Sequence, residues 1–275
     1  PTIAKQILVS DQDRHVIAFG ANTIGTTVQD PLLIRFSTQE SLVDWTPTAT
    51  NTAGDLRIGS GSQFITAVQT KREIVIWTNS SLHSMRFIGP PFTFGIAPVS
   101  SQTTIAGPNA VAAVDDIVLW MGKNTFYLYD GKVQQIPCTV KEEVFFDMDF
   151  AQLDKVSAGI NSEFGEVIWF YPSSSNSIAN NGDGQNDKYV IYNYNEKVWY
   201  YGNLERTTWI DRGLREFPIA TKDGYLYFHE KGYDDDGSAL ISSIESSQID
   251  IGDGEKFVFI NKLIPDLTFN GSTTD

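Results

Sequence analysis

The chain has 275 residues, 41% of them hydrophobic and 12% aromatic, and carries a formal net charge of −14. That length allows one large repeat domain or two ordinary ones, with enough apolar residues to bury a core. Twenty Lys and Arg against 34 Asp and Glu exclude a sequence-independent grip on nucleic-acid phosphates, which needs clustered cations.

The acidity has two readings: a device for solubility, or a wall past which DNA slides without sticking. Cys138 is the single cysteine, so an intrachain disulfide and a thiolate metal cage are both excluded. No apolar run reaches the roughly 18 residues of a membrane-spanning helix, and no signal peptide is visible. Seventeen Phe, eleven Tyr and six Trp favour strands, where flat side chains pack well on a pleated surface.

From the first residues the pattern is that of strands, beginning at Gln6-Ile7-Leu8-Val9. His15 to Gly20 and Leu32 to Ser37 follow as two strands joined by a polar loop, and Asp44-Trp45 closes a first unit near Pro47. A second unit holds Phe64 to Val68, Ile74 to Trp77 and Leu82 to Ile88. The pair Pro90-Pro91 is expected to stop this sheet, because proline cannot donate to a ladder.

A third unit repeats the second: Ala110 to Val114, then Ile117 to Trp120, then Phe126 to Tyr129 with Asp130-Gly131 as hairpin turn. Thr139 and Glu142 have the spacing of a capping box and predict a short helical insertion over 140–146, with a further turn at 149–155. The fourth unit contains Val167 to Phe170, a polar loop from Ser173 to Asp187, and strands at Tyr189 to Tyr192 and Val198 to Tyr201. The fifth runs from Phe217 to Ala220 through Tyr225 to Phe228, then Leu240 to Ile249.

The aromatics Trp77, Trp120, Trp169 and Tyr227 lie 43, 49 and 58 residues apart, close to the period of four-stranded blades. The expected fold class is therefore all-β: a β-propeller of four-stranded antiparallel blades, about five of them over 1–250. A further β segment or domain is expected to start over 251–275, where Lys256 to Phe269 departs from the repeat. Both ends stop in strand patterns. Blade closure is thus expected to need sequence outside 1–275, or the last strand to lead into a second β domain.

Reaction chemistry is hard to find. His15, His83 and His229 are far apart, and no nucleophile elbow, phosphate loop or zinc-binding His-Glu-x-x-His occurs. Gly59-Ser60-Gly61-Ser62 lacks the lysine and helix of a phosphate loop. Asn181, Asp183, Gln185 and Asp187, and the run Tyr233 to Gly237, offer oxygen ligands but no closing bidentate Glu. Turns have the same composition for conformational reasons. Any ion at Asp183/Asp187 or Asp234/Asp236 is expected to be structural at most. Neither a catalytic residue, a cofactor nor a resident metal is expected, and the chain is expected not to be an enzyme.

Taken as phrases, Ile34-Arg35-Phe36-Ser37, Asp44-Trp45-Thr46-Pro47, Gly54-Asp55-Leu56-Arg57, Gly59-Ser60-Gly61 and Phe87 to Gly95 resemble virion structural proteins of tailed bacteriophages. Asn161 to Val167, Tyr225-Leu226-Tyr227, Asp234 to Leu240, Ile251 to Gly254 and Ile264-Pro265-Asp266 are similar to the same proteins, so the resemblance covers nearly the whole chain. It points to the tail nozzle or packaged-DNA stabilisation proteins of short-tailed phages.

The resemblance implies a homo-oligomeric ring, a hexamer, in contact with portal or adaptor proteins and tail fibres. It also implies transient passage of genomic DNA without specific binding, a place in the virion tail, and no catalysis. Its motifs are structural, and no functional residue is carried over. The alternative reading is a propeller that binds a host receptor or glycan, with Tyr194, Trp199, Tyr200, Tyr201 and Trp209 as a stacking platform; behind it stands a glycan-cleaving tail enzyme.

Overall fold

In the computed structural model, which describes residues 1–235, 237–239 and 259–262, the strands assemble as successive antiparallel meanders. The first sheet is β1 (Gln6–Val9), β2 (Val16–Phe19), β3 (Leu33–Phe36) and β4 (Gly54–Arg57). The second is β5 (Phe64–Gln69), β6 (Ile74–Thr78), β7 (Leu82–Gly89) and β8 (Thr93–Ser100). The third is β9 (Val111–Val114), β10 (Ile117–Met121), β11 (Phe126–Tyr129) and β12 (Val133–Ile136). The fourth is β13 (Ser157–Asn161), β14 (Glu166–Tyr171), β15 (Lys188–Asn193) and β16 (Val198–Asn203). A fifth sheet has three strands among the described residues: β17 (Thr208–Ile210), β18 (Ile219–Lys222) and β19 (Tyr225–Phe228).

The first strands of successive sheets are neighbours, β1 beside β5, β5 beside β9, β9 beside β13 and β13 beside β17. Sheets whose first strands gather side by side while later strands run outward are the blades of a β-propeller. The fold is a β-propeller.

The second strands of the first four blades are largely buried on both faces, which makes their sequences nearly continuous apolar runs. Along β6, Ile74 and Ile76 join Ile17, Phe19, Phe36 and Phe94 in a core between the first two blades, while Val75 and Trp77 turn the other way toward the third. Along β14, Val167, Trp169 and Tyr171 face the third blade, and Ile168 and Phe170 face the fifth. Strand alternation thus divides one run between two cores. Trp77, Trp120 and Trp169 each stand fourth in a second strand, fully buried. Trp77 and Trp120 meet edge to face with centroids 5.3 Å apart.

Several sequence expectations are corrected. Tyr227 does not mark an equivalent place, because Tyr225–Phe228 is the third strand of its blade and Ile219–Lys222 the second. That explains the longer last interval. The first blade continues past Pro47 to Arg57 through β4. Pro90-Pro91 does not stop the second sheet: it lies at the tip of the β7–β8 hairpin, and Thr93–Ser100 returns as the outer strand. Proline is tolerated there, as is Pro98 within β8, because an edge strand has one unpaired side.

The helical insertion is α1 (Lys141–Asp147), followed by a 3-10 turn at Phe150–Lys155. Its N-cap is Val140 without a side-chain cap hydrogen bond. Thr139 lies one residue too early for the expected capping box, so the reciprocal bonds with Glu142 do not form.

Close approach of backbone to side chain fixes the last blade. A Cβ on Gly159 of β13 would come within 2.5 Å of the Trp209 indole, so glycine lets that ring lie flat on the neighbouring strand. Trp209 also donates its Nε1–H to the Ile160 carbonyl at 2.9 Å.

The chain divides into two compact units, Pro1–His229, which holds all five blades, and Glu230–Asp275. In the second unit Asp234–Asp235 pairs with Ser238–Ala239 in a small hairpin. The expected strand at Leu240 to Ile249 and the expected boundary at 250 lie outside the described residues, as does the segment 256–269 except for 259–262. No helix among the described residues is long and apolar enough to cross a membrane.

Candidate functional site

The five first strands converge at one end of the blade assembly on a cavity of about 380 Å³. Gln6, Thr66, Asn109, Ser157, Thr207 and Thr208 supply its polar wall, and Ala67, Val68 and Val111 part of its apolar wall. Its lining carries no charged side chain. The polar groups also stitch the blades: the Gln6 amide donates to the Ala67 carbonyl at 2.8 Å and accepts from the Ala67 N–H at 2.9 Å. Ala158 donates its N–H to the Asn109 carbonyl at 2.7 Å, and the Ser157 hydroxyl donates to the Thr207 carbonyl at 3.0 Å. Such a surface offers hydrogen bonds but no acid, base or activated nucleophile.

At the opposite end, the turns between first and second strands form a charged ladder. Gln12 of the first turn donates to the Lys71 carbonyl of the second. Lys71 pairs with Asp115 at 2.5 Å and Arg72 with Asp116 at 3.1 Å, joining second and third. Arg212 pairs with Glu163 at 2.9 Å, and the Ser162 N–H donates to Asp211, joining fifth and fourth. These groups are exposed, so each pair orders a turn more than it stabilises the fold.

Beneath the ladder a buried carboxylate ties blade two to blade three. Glu73 accepts from the Ser84 hydroxyl, from Arg86 at 2.9 Å and from the Tyr129 hydroxyl at 2.8 Å. Burial alone would push the Glu73 carboxyl up, but the hydrogen bonds from Ser84, Arg86 and Tyr129 outweigh it and hold the carboxyl below the ordinary glutamate value. Burial, and then the adjacent carboxylate, push the Tyr129 phenol up to about 12. Nothing in the sequence spacing signals this triple contact.

The structure scatters the sequence candidates. His15 is buried among Phe36, Phe87 and Phe94 and bonds Thr52 at 3.1 Å. His83 bonds Ser60 of the glycine-rich loop at 3.0 Å, and burial pulls both imidazoles below the ordinary histidine value. His229 accepts from Arg206 at 2.9 Å and lies tilted against the Trp209 ring, with centroids 5.0 Å apart. Arg35 is buried and donates to the carbonyls of Asn22 and Trp45.

The Asp183 carboxylate accepts from Asn176 and the Gln185 N–H, and Asp187 from the N–H and hydroxyl of Ser173. Both shape the loop. Asp234 accepts from the Gly237 N–H, and Asp236 lies outside the described residues. Among the described residues no three His, Cys, Asp or Glu side chains gather as a metal site. Burial pushes the Cys138 thiol up to about 11, which keeps it protonated.

The five aromatics expected to form one platform do not share a surface. Trp209 is buried against Phe170, and Trp199 packs on Phe126, Trp169 and Tyr192. Tyr200 and Tyr201 are exposed but adjacent along β16, so their rings point to opposite faces. Strand alternation therefore breaks the platform.

No family model and no curated protein matches the chain. Among solved structures it is similar to Hsv2 of Kluyvelomyces marxianus, at 8% identity and a TM-score of 0.45, over 86% of this chain and 63% of that one. It is also similar to the AfRom2 CNH domain, at 10% identity and a TM-score of 0.41, over 80% of this chain and 65% of that one. The matched region spans less than two thirds of the length of each of these two neighbours.

Proposed function

We propose that the chain is a structural component of a bacteriophage tail, a nozzle or tail-hub subunit. Copies form a ring that continues the DNA channel and helps to retain and then release the genome. The observation that carries this reading is the near full-length resemblance of the sequence to tailed-phage virion proteins.

Three of the resembling phrases fall on elements that build the blades. Gly54-Asp55-Leu56-Arg57 is β4, Phe87 to Gly95 spans the β7–β8 tip, and Asn161 to Val167 makes the β13–β14 turn. Phrases that build shape rather than a reaction centre suit a scaffold.

The charge of −14 supports the same role, because a wall without clustered cations does not trap a passing polyphosphate. The surfaces described above offer hydrogen bonds, ion pairs and apolar contact, the means of assembly. Subunits of this kind would act by position: held head to tail, they close into a ring when the rotation between neighbours completes a circle.

Particles produced without the protein test the proposal. They should fill with DNA and then leak it, or lack the distal tail. Particles that assemble, retain their genomes and eject normally without it would overturn the reading.

A further inference from the structure

Large apolar side chains project from the end of the blade assembly that carries the charged ladder. In an antiparallel meander the connection between third and fourth strands returns to the end of the turn between first and second. Blade one therefore presents its β3–β4 loop there, where the Glu40 N–H donates to the Arg14 carbonyl. The tip of that loop holds Leu42 and Val43, 77% and 89% exposed, and the Trp45 Nε1–H closes it on the Leu42 carbonyl at 2.9 Å. Blade four adds Phe164 in the β13–β14 turn and blade five adds Leu214 in the β17–β18 loop, both exposed.

Blade two contributes a projecting ribbon. Beyond Met85 its strand β7 pairs only with β8, so Arg86 to Gly95 extends past the rest of the sheet. The tip Phe87-Ile88-Gly89-Pro90-Pro91-Phe92 carries no charge, and Ile88 and Phe92 are 57% and 72% exposed. Its backbone groups find partners within the hairpin. The prolines have no N–H, Gly89 pairs with Thr93, and the N–H groups of Phe92 and Phe94 donate to the carbonyls of Gly89 and Phe92 at 3.2 and 2.7 Å. Hydrocarbon admits a backbone only where its polar groups are satisfied internally. The base of the ribbon is braced on blade one: Phe87 lies against His15 with ring centroids 5.8 Å apart, and the Thr93 hydroxyl donates to the Thr52 carbonyl at 3.1 Å.

We propose that this end of the blade assembly docks on a lipid bilayer, with Ile88 and Phe92 entering the hydrocarbon and the knobs of blades one, four and five resting at the headgroups. Apolar knobs on separate blades, with ion pairs between them, fit a broad and deformable apolar surface, whereas a protein partner would need a pocket for each. The cations here are already committed: Arg14 to Glu40, Lys71 to Asp115, Arg72 to Asp116, Arg86 to Glu73 and Arg212 to Glu163. Asp11, Asp13, Asp211 and Glu216 stand in the same turns, so this end has no surplus of cations to draw it to anionic headgroups. Apolar burial drives the contact, and zwitterionic lipid is the matching surface. These side chains make the contact whether or not copies form a ring.

Flotation of the 275-residue chain with phosphatidylcholine vesicles tests it, with circular dichroism confirming that each variant is folded. The wild-type chain should float with the vesicles, and added phosphatidylglycerol should not strengthen binding. Ile88→Asp and Phe92→Asp should each weaken partition by about tenfold or more, as withholding a large apolar side chain from hydrocarbon does. Phe146→Asp removes an exposed aromatic of α1, at the other end of the blades, and should leave partition unchanged. A fluorophore on Ile88→Cys, in a Cys138→Ser chain, should be quenched by lipids brominated in their acyl chains.

A wild-type chain that stays in the lipid-free fractions, binding that requires anionic lipid, partition unchanged in Phe92→Asp, or a label that escapes quenching would each overturn the contact. A tip covered by a protein partner and not by vesicles would overturn it equally. None of these results touches the ring reading, which particles made without the protein test separately.

Discussion

The Tyr129 hydroxyl donates to the Glu73 carboxylate at 2.8 Å, across the boundary between blade two and blade three. Glu73 closes the inner hairpin of its blade and Tyr129 ends the third strand of the next. The bond therefore joins parts of two sheets whose own ladders do not meet. Tyr129→Phe should cost about 1.5–3 kcal/mol, the range for a hydrogen bond to a charged group, read as a lower urea midpoint with an unchanged slope.

The same carboxylate sets an acid limit. Because the folded Glu73 ionises below its ordinary value, its contribution is fully present above about pH 4.3. It is lost as the pH falls through the folded value. Glu73→Gln should flatten this part of the stability profile, measured as urea midpoints between pH 6 and 2.5, on the order of the acid range that linkage predicts. An unchanged acid limb would show that Glu73 is not its source.

Gly159→Ala should destabilise the junction between blades four and five, because the added methyl meets the Trp209 ring at 2.5 Å. A loss of about 1–3 kcal/mol is expected for overpacking of this kind. Tryptophan emission should shift to the red if Trp209 is forced out, and an unchanged midpoint and emission would contradict the packing.

Trp120→Ala should be far more damaging. Its ring is fully buried against Trp77 and Tyr127, and its Nε1–H donates to the Thr104 carbonyl at 3.1 Å. The expected loss is about 3–5 kcal/mol, seen as a large fall in thermal midpoint or as failure to accumulate folded protein.

The blade repeat was legible because second strands are apolar on both faces, so that Ile74 to Trp77 and Ile117 to Trp120 read as marked runs. Gly54–Arg57 and Val133–Ile136 do not read as strands in the sequence. They are outermost strands with much exposed side-chain surface, and their sequences look like loops. Thr208–Ile210 is not legible, because three residues give almost no period to read. Pro90-Pro91 has the same chemistry whether it ends a sheet or turns a hairpin, and only the return of Thr93–Ser100 separates the two. The surfaces were less legible still: Lys71 finds Asp115 and Glu73 finds Tyr129 only because blades pack side by side.

Cryo-electron microscopy of the intact phage particle tests the central claim most directly. The account predicts a symmetric ring of this chain in the tail below the portal, with its blades recognisable by the buried tryptophans and the DNA channel passing through the ring. Density that places single copies away from the channel as peripheral fibres, or a particle that lacks the chain, would contradict it.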